Sequence, residues 1–167
     1  MNNKLIIALY NSANQGKTST LRKLSEYLTV KYRSELQEIH IHEFENQGRD
    51  FIMTFHLYGK SFSVISEGDA GKIVKRHLEN HRDSNVIICT TRTKGGTVEA
   101  VKQFAKANHA KLIWSYNYAV DLTLKQFPQC MDEANQLKAQ HLWKMVEEIT
   151  QIQWPDSRHC LRELSSK

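Results

Sequence analysis

Residues Asn11-Ser12-Ala13-Asn14-Gln15-Gly16-Lys17-Thr18 gather, in one short segment, the groups needed to hold an anion. They follow an apolar run, Lys4–Tyr10, and open a stretch in which Leu21, Leu24 and Leu28 recur at helical spacing. A loop at such a junction curls its backbone N–H groups around one point, and the helix behind it adds partial positive charge. Gly16 lets the chain approach an anion closely. Asn11 and Asn14 are of the type that tolerates left-handed backbone angles, so Asn11 is expected to make the first turn of the loop. Ser19 and Thr20 add hydroxyls that cap the helix or assist the loop.

Two further segments carry chemistry. Glu67-Gly68-Asp69-Ala70-Gly71 pairs two acids with two glycines, and Thr90-Thr91-Arg92-Thr93-Lys94-Gly95-Gly96-Thr97 pairs two cations with two more. An acidic turn at that place also serves as the cap of a following helix, since carboxylates favour helix N-termini. Arg92 suits a clamp on phosphate charge or on an acidic co-substrate, and Lys94 does so less selectively.

The elements that must position these loops read as an alternation. Lys4–Tyr10 is a strand and Thr18–Lys31 a helix, and Glu38–Phe44 alternates as a second strand. Asp50–Tyr58 and Ser61–Ser66 flank Gly59-Lys60 as a hairpin. Lys72–His81 is helical through Ile73, Val74, His77 and Leu78. Asn85–Thr90 is an apolar strand, Thr97–Asn108 a helix with Val101, Phe104, Ala105 and Asn108 on one stripe, and Lys111–Tyr116 a strand. Pro128 opens a long helix with an apolar face of Met131, Ala134, Leu137, His141, Leu142, Met145 and Ile149. Strands alternating with crossover-length helices predict an α/β fold of three layers, a mostly parallel sheet with helices on both faces and one antiparallel hairpin strand at an edge. Residues 1–167 read as one domain, with 153–167 as a C-terminal tail. Ligands of such sheets bind beyond the carboxyl ends of the strands, where Gly16, Gly68, Gly71, Gly95 and Gly96 would then cluster.

The segment from Asn11 to Thr18 resembles the P-loop (Walker A) pattern G-x-x-x-x-G-K-[ST], with Asn11 in place of the first glycine, and the chain is similar in its element order to the P-loop NTPase superfamily. The resemblance implies that Asn11, Ser12, Ala13, Asn14, Gln15, Gly16, Lys17, Thr18 and Ser19 hold the phosphates of ATP, or of GTP. Lys17 would reach the β- and γ-phosphates, and the Thr18 hydroxyl would ligate Mg²⁺. A carboxylate at the end of a neighbouring strand should complete the metal site, and Asp69 is the first choice with Glu67 second. Asp69-Ala70-Gly71 resembles the Asp-x-x-Gly of GTPase switch loops with one residue missing, and the hairpin before it resembles the paired strands leading to that motif in Ras-like proteins. Lys17, Asp69 and Arg92 form the expected catalytic set.

The base is less well specified. Trp114-Ser115-Tyr116-Asn117-Tyr118-Ala119-Val120-Asp121 lacks the lysine of the guanine-reading Asn-Lys-x-Asp box and sets Asn117 and Asp121 one residue too far apart. Tyr116 or Tyr118 could stack on a base of either kind or serve as core. His40 and His42 share a strand face without a third ligand nearby, and Cys89 sits in an apolar run as a small hydrophobe.

Composition narrows the class. The chain has 167 residues, 23 Lys plus Arg against 18 Asp plus Glu, 40% apolar and 25% charged residues. These figures exclude disordered and collagenous chains, and no apolar stretch nears the ~20 residues of a membrane helix. Three widely spaced cysteines, Cys89, Cys130 and Cys160, offer no disulfide framework, and the N-terminus does not read as a secretory signal, so a cytoplasmic location is expected. A formal charge of +5 without a basic block argues only weakly for polyanionic partners and suits a nucleotide phosphate as well as nucleic acid; with no nucleic-acid motif in the chain, the expected partners are a nucleotide and a small anionic acceptor, without a membrane. The expected activity is Mg²⁺-dependent ATP binding with hydrolysis or γ-phosphoryl transfer. A GTPase-like switch and a non-catalytic nucleotide-binding module are the alternatives.

Overall fold

The computed structural model describes residues 4–12, 16–44, 49–118 and 128–152. In chain order the elements are β1 (Leu5–Tyr10), α1 (Lys17–Lys31), β2 (Gln37–Glu43), β3 (Phe51–Leu57), β4 (Lys60–Ile65), α2 (Gly71–Asn80), β5 (Val86–Thr91), α3 (Gly96–Ala107), β6 (Lys111–Tyr116) and α4 (Pro128–Thr150). Helices and strands fall within a residue or two of the positions predicted from periodicity. The tail after residue 152, with Trp154, Pro155 and Cys160, lies outside the described residues, as do Asp121 and the loop residues Ala13, Asn14 and Gln15.

The six strands form one sheet in the order β2-β3-β4-β5-β1-β6. β1 runs parallel to both β5 and β6, and β4 runs parallel to β5. Only β3 runs against the rest, pairing antiparallel with β2 on one side and β4 on the other. The antiparallel strand is therefore not the edge that the hairpin predicted, because β2 covers it. The turn also differs by one residue. Leu57 pairs with Lys60, which leaves Tyr58 and Gly59 as the two-residue loop, with φ of 49° and 72°. Positive φ at both positions matches the twist of the flanking strands. Phe55 and Phe62 lie directly opposite and stack at 4.8 Å, tying the hairpin together.

Strand alternation sorts the core into two slabs. Leu5, Ile7 and Leu9 of β1 pack with Leu21, Leu24 and Leu28 of α1 and with Leu142, Trp143 and Val146 of α4. Ile6 and Ala8 pack on the opposite face with Val74 and Leu78 of α2 and Val101 and Phe104 of α3. Helices thus cover both faces, and the three-layer α/β expectation holds. Cys89 is buried in the second slab, where burial pushes its thiol up to about 12.

The buried face of α4 is rotated from the predicted one: Leu142 is buried and Met145 and Ile149 pack against the core as expected, but His141 is exposed. Asn135, Lys138, Ala139, Leu142, Trp143 and Val146 face inward, whereas Leu137 is 59% exposed. An apolar count misplaces this stripe, because two of its members are polar residues with buried partners. Toward its other end α4 is anchored by Trp143, whose indole N–H donates to the Tyr32 hydroxyl at 2.9 Å. That hydroxyl donates in turn to Glu147 at 2.6 Å, and burial together with this carboxylate raises the Tyr32 pKa. Replacing Tyr32 by Phe removes both bonds and strands a buried indole N–H. We expect a loss of about 1–3 kcal/mol in unfolding free energy, read by urea denaturation.

Candidate functional site

The C-terminal ends of β1, β4 and β5 and the N-termini of α1, α2 and α3 meet at one rim of the sheet. The loop after β1 begins with Asn11, which is buried. Its side chain fixes the exit of the strand. Asn11 Oδ1 accepts from the Ser12 backbone N–H at 2.7 Å, and Asn11 Nδ2 donates to the Asn117 carbonyl at 3.4 Å. Asn11 does not adopt the left-handed backbone expected of it. Among described non-glycine residues positive φ occurs at Glu38, Tyr58, His109 and Gln151 only. The residue works here through its amide rather than through its backbone freedom.

Gly16 supplies that freedom instead. It stands immediately before α1 with φ 72° and ψ 10°, and a Cβ there would lie 2.6 Å from Asn135 Oδ1 of α4. Asn135 Oδ1 and Asn117 Oδ1 both lie 3.0 Å from the Thr20 hydroxyl, so a buried polar knot of Asn117, Thr20 and Asn135 backs the loop. Lys17 follows, 8% exposed, with its ammonium folded back to donate to the carbonyls of Asn11 at 3.0 Å and Ser12 at 2.7 Å. Burial lowers its pKa, Asp69 and Asp50 oppose that shift, and Arg92 adds to it. A cation whose pKa falls on folding costs the fold stability at neutral pH, and the cost is relieved only as pH rises through the lowered value toward 10.5.

Thr18 points to a residue that the sequence reading did not single out. Its hydroxyl donates to Asp50 Oδ1 at 2.9 Å, and the Ser66 hydroxyl reaches the same oxygen at 2.9 Å. Ser66 in turn accepts from the Phe51 backbone N–H at 2.8 Å. Asp50 stands just before β3. Since β3 alone runs antiparallel, it starts at the rim where the parallel strands end. The available signal was the acid immediately preceding the hairpin, but reading it required knowing which strand runs backward.

Glu67 and Asp69 follow β4, which is separated from β1 by β5. Neither acid therefore sits on a strand neighbouring the loop strand, contrary to expectation. The chain makes up the distance by passing flat over the tip of β5: a Cβ on Gly68 would lie 2.1 Å from the Thr90 carbonyl oxygen. The path ends where α2 meets α3 glycine to glycine, a Cβ on Gly71 falling 2.7 Å from the Gly96 carbonyl carbon. Asp69 emerges at the rim, where Arg92 holds it through Nη2 at 3.3 Å and donates from Nε to its carbonyl at 3.2 Å. Both side chains are well exposed, so the pair itself adds little stability. Glu67 turns inward. Its carboxylate meets His77 Nε2 of α2 at 2.5 Å, with both side chains 5% exposed, and the Phe44 ring covers His77. Lys94 is exposed on the loop before α3.

At the far side of the loop, Tyr116 and Tyr118 at the end of β6 are 46% and 41% exposed. Lys138 of α4 is buried behind them, donating to Ser115 Oγ at 2.9 Å with its ammonium 5.2 Å from the Tyr118 ring centre, and burial lowers its pKa. Asn117 is buried, with its side chain in the knot behind the loop rather than at the rim.

These features define an α/β protein with a glycine-lined rim, bearing both cations and carboxylates, built around a strand–loop–helix junction. Comparison with family models, with curated proteins and with solved structures gives no match for the chain. Among the described residues no helix is long and apolar enough to cross a membrane.

Proposed function

We propose that the chain is a P-loop nucleotide-binding protein that uses Mg²⁺ to hydrolyse ATP or to pass its γ-phosphoryl group to a small anionic acceptor. The observation that carries this reading is the coincidence at one junction of left-handed Gly16, buried Lys17 folded back onto the Asn11 and Ser12 carbonyls, and Thr18 bonded to a carboxylate. Lys17 would exchange the Asn11 and Ser12 carbonyls for phosphate oxygens, and the amides at the start of α1 would receive the anion. Arg92, freed from Asp69, would hold charge on the transferring group or on the acceptor, and Lys94 would add to the attraction.

The donor set fits Mg²⁺. The Thr18 hydroxyl and the Asp50 carboxylate are hard oxygens in mutual contact, and the Asp69 charge is felt at Lys17 beside them. Among the described residues no group of three or more His, Cys, Asp or Glu converges, but a nucleotide-bound magnesium needs only one or two protein oxygens besides phosphates and waters. When bound, the ion would neutralise charge on the β- and γ-phosphates. In this reading Asp50 joins Asp69 on the metal side, and Glu67 positions α2 through His77.

Calorimetric titration tests the proposal. Wild type should bind ATP more tightly with Mg²⁺ than without it. Asp50→Asn should match wild type without Mg²⁺ and lose about tenfold or more of the Mg²⁺-dependent gain. Absence of ATP and GTP binding by wild type would overturn the reading. Preference for GTP would move it to a switch in which Glu67–Gly71 rearranges with the nucleotide. Tight binding without phosphate release at any Mg²⁺ concentration would move it to a non-catalytic module.

A further inference from the structure

At the end of the sheet opposite the rim, where β4, β5, β1 and β6 begin, lies a cavity of about 340 Å³. Leu5 of β1 is level with Val86 of β5 and with Lys111 of β6, and Val86 is level with Phe62 of β4, two residues after Lys60. Leu5, Val86 and Phe62 all belong to the slab that α1 and α4 cover. By strand alternation Lys60 and Lys111 stand on that same face, one on each side of Leu5 and Val86. With β5 and β1 between them, their backbones are three strand spacings, about 14 Å, apart. Ile149, Thr150 and Gln151 at the end of α4 complete the wall.

Charge in this cavity is uncompensated. Among the described residues no carboxylate lines it, and none pairs with Lys60, Lys111 or His109. Lys4, also in the lining, turns its ammonium to the Arg82 carbonyl. Partial negative charge at the ends of α3 and α4 draws the lysines without neutralising them. The backbone gives a second, independent sign. After α3 the Ala110 N–H returns to the Ala105 carbonyl at 2.9 Å with His109 left-handed at φ 49°, and Gln151 after α4 has φ 48°. Glycine is usual at such helix ends, because a Cβ is disfavoured there. Here a histidine and a glutamine stand instead, and both line the cavity. Asn85 adds a donor: its Oδ1 is held by the Ser61 backbone N–H at 2.8 Å, which leaves the amide nitrogen for another acceptor. We propose that this cavity is a second anion site, which holds a short linear chain of phosphate groups between Lys60 and Lys111. Cations at two ends suit an anion charged along its length. Lysine, a compact charge on a flexible stem, takes phosphate oxygens from any direction, and the arginine fork that matches a planar carboxylate is missing from the described lining.

Calorimetry with inorganic tripolyphosphate, at low salt, without Mg²⁺ and in a Lys17→Ala background, tests the cavity apart from the rim. The Lys17→Ala protein should bind the probe. Adding Lys60→Ala and Lys111→Ala should weaken binding about a hundredfold, and Lys111→Ala alone, at an exposed position, about tenfold. Arginine at both positions should stay within about tenfold. Lys75→Ala with Lys102→Ala removes the same charge from exposed sites on α2 and α3, and should change affinity by less than about twofold. ATP titrated into the same proteins identifies the source of the phosphates. A loss matching that of tripolyphosphate assigns the cavity a nucleotide's tail as well, and ATP binding indifferent to Lys60 and Lys111 assigns it the free chain. No tripolyphosphate binding overturns the proposal. So does an equal loss in the Lys75 and Lys102 variant, which would show general charge attraction, or tighter binding of the dicarboxylate glutarate.

Discussion

Lys17→Ala should weaken ATP binding about ten- to a hundredfold and lower any turnover about a hundred- to a thousandfold, while leaving the melting temperature level or raised. The binding loss follows from a charge-assisted bond to phosphate, worth about 1.5–3 kcal/mol. The larger loss in turnover follows from removing a fixed positive charge where negative charge develops. The stability effect has the opposite sign because Lys17 is a buried cation whose nearest partners are two backbone carbonyls. Burial lowers its pKa, so below that value the charged form opposes folding, and alanine removes the penalty. Calorimetry, a phosphate-release assay and a thermal melt on the same preparation separate the two effects. Unchanged binding and turnover in this variant would remove the lysine, and the P-loop reading with it.

Gly16→Ala is expected to disable the loop for a different reason. At φ 72° an alanine meets the left-handed penalty of about 1–2 kcal/mol, and its Cβ would collide with Asn135 Oδ1 at 2.6 Å. Asn135 can give way only by leaving Thr20, which sacrifices a buried hydrogen bond worth about another 1 kcal/mol. Together these predict a loss of about 2–3 kcal/mol in unfolding free energy and ATP binding weakened beyond detection by calorimetry. The two causes separate in a double-mutant cycle. In an Asn135→Ala background the collision is gone and the backbone penalty remains, so Gly16→Ala should cost about 1 kcal/mol less there than in wild type. Strict additivity would mean that α4 does not press on the loop as described.

The local features of this protein were legible from its residues. Leu21, Leu24 and Leu28 mark α1, Gly16-Lys17-Thr18 mark the junction of β1 and α1, and glycines at 16, 68, 71, 95 and 96 mark a rim. Each depends on residues within a few positions of one another, where periodicity and backbone freedom act directly. Asp50 escaped that reading because its place beside Thr18 depends on β3 running antiparallel. The separation of β4 from β1 by β5, bridged by Gly68 over Thr90, likewise depends on strand order. Asn135 and Lys138 escaped because a polar residue joins the inner face of a helix only when a distant partner awaits it: Thr20 for one, Ser115 for the other. Sequence by itself determined the elements and the β1–α1 junction at which Gly16, Lys17 and Thr18 stand. Tertiary structure alone decided which carboxylate faces the loop hydroxyl and which polar groups brace the loop from behind, because pairing between strands far apart in the chain leaves no periodic trace along it.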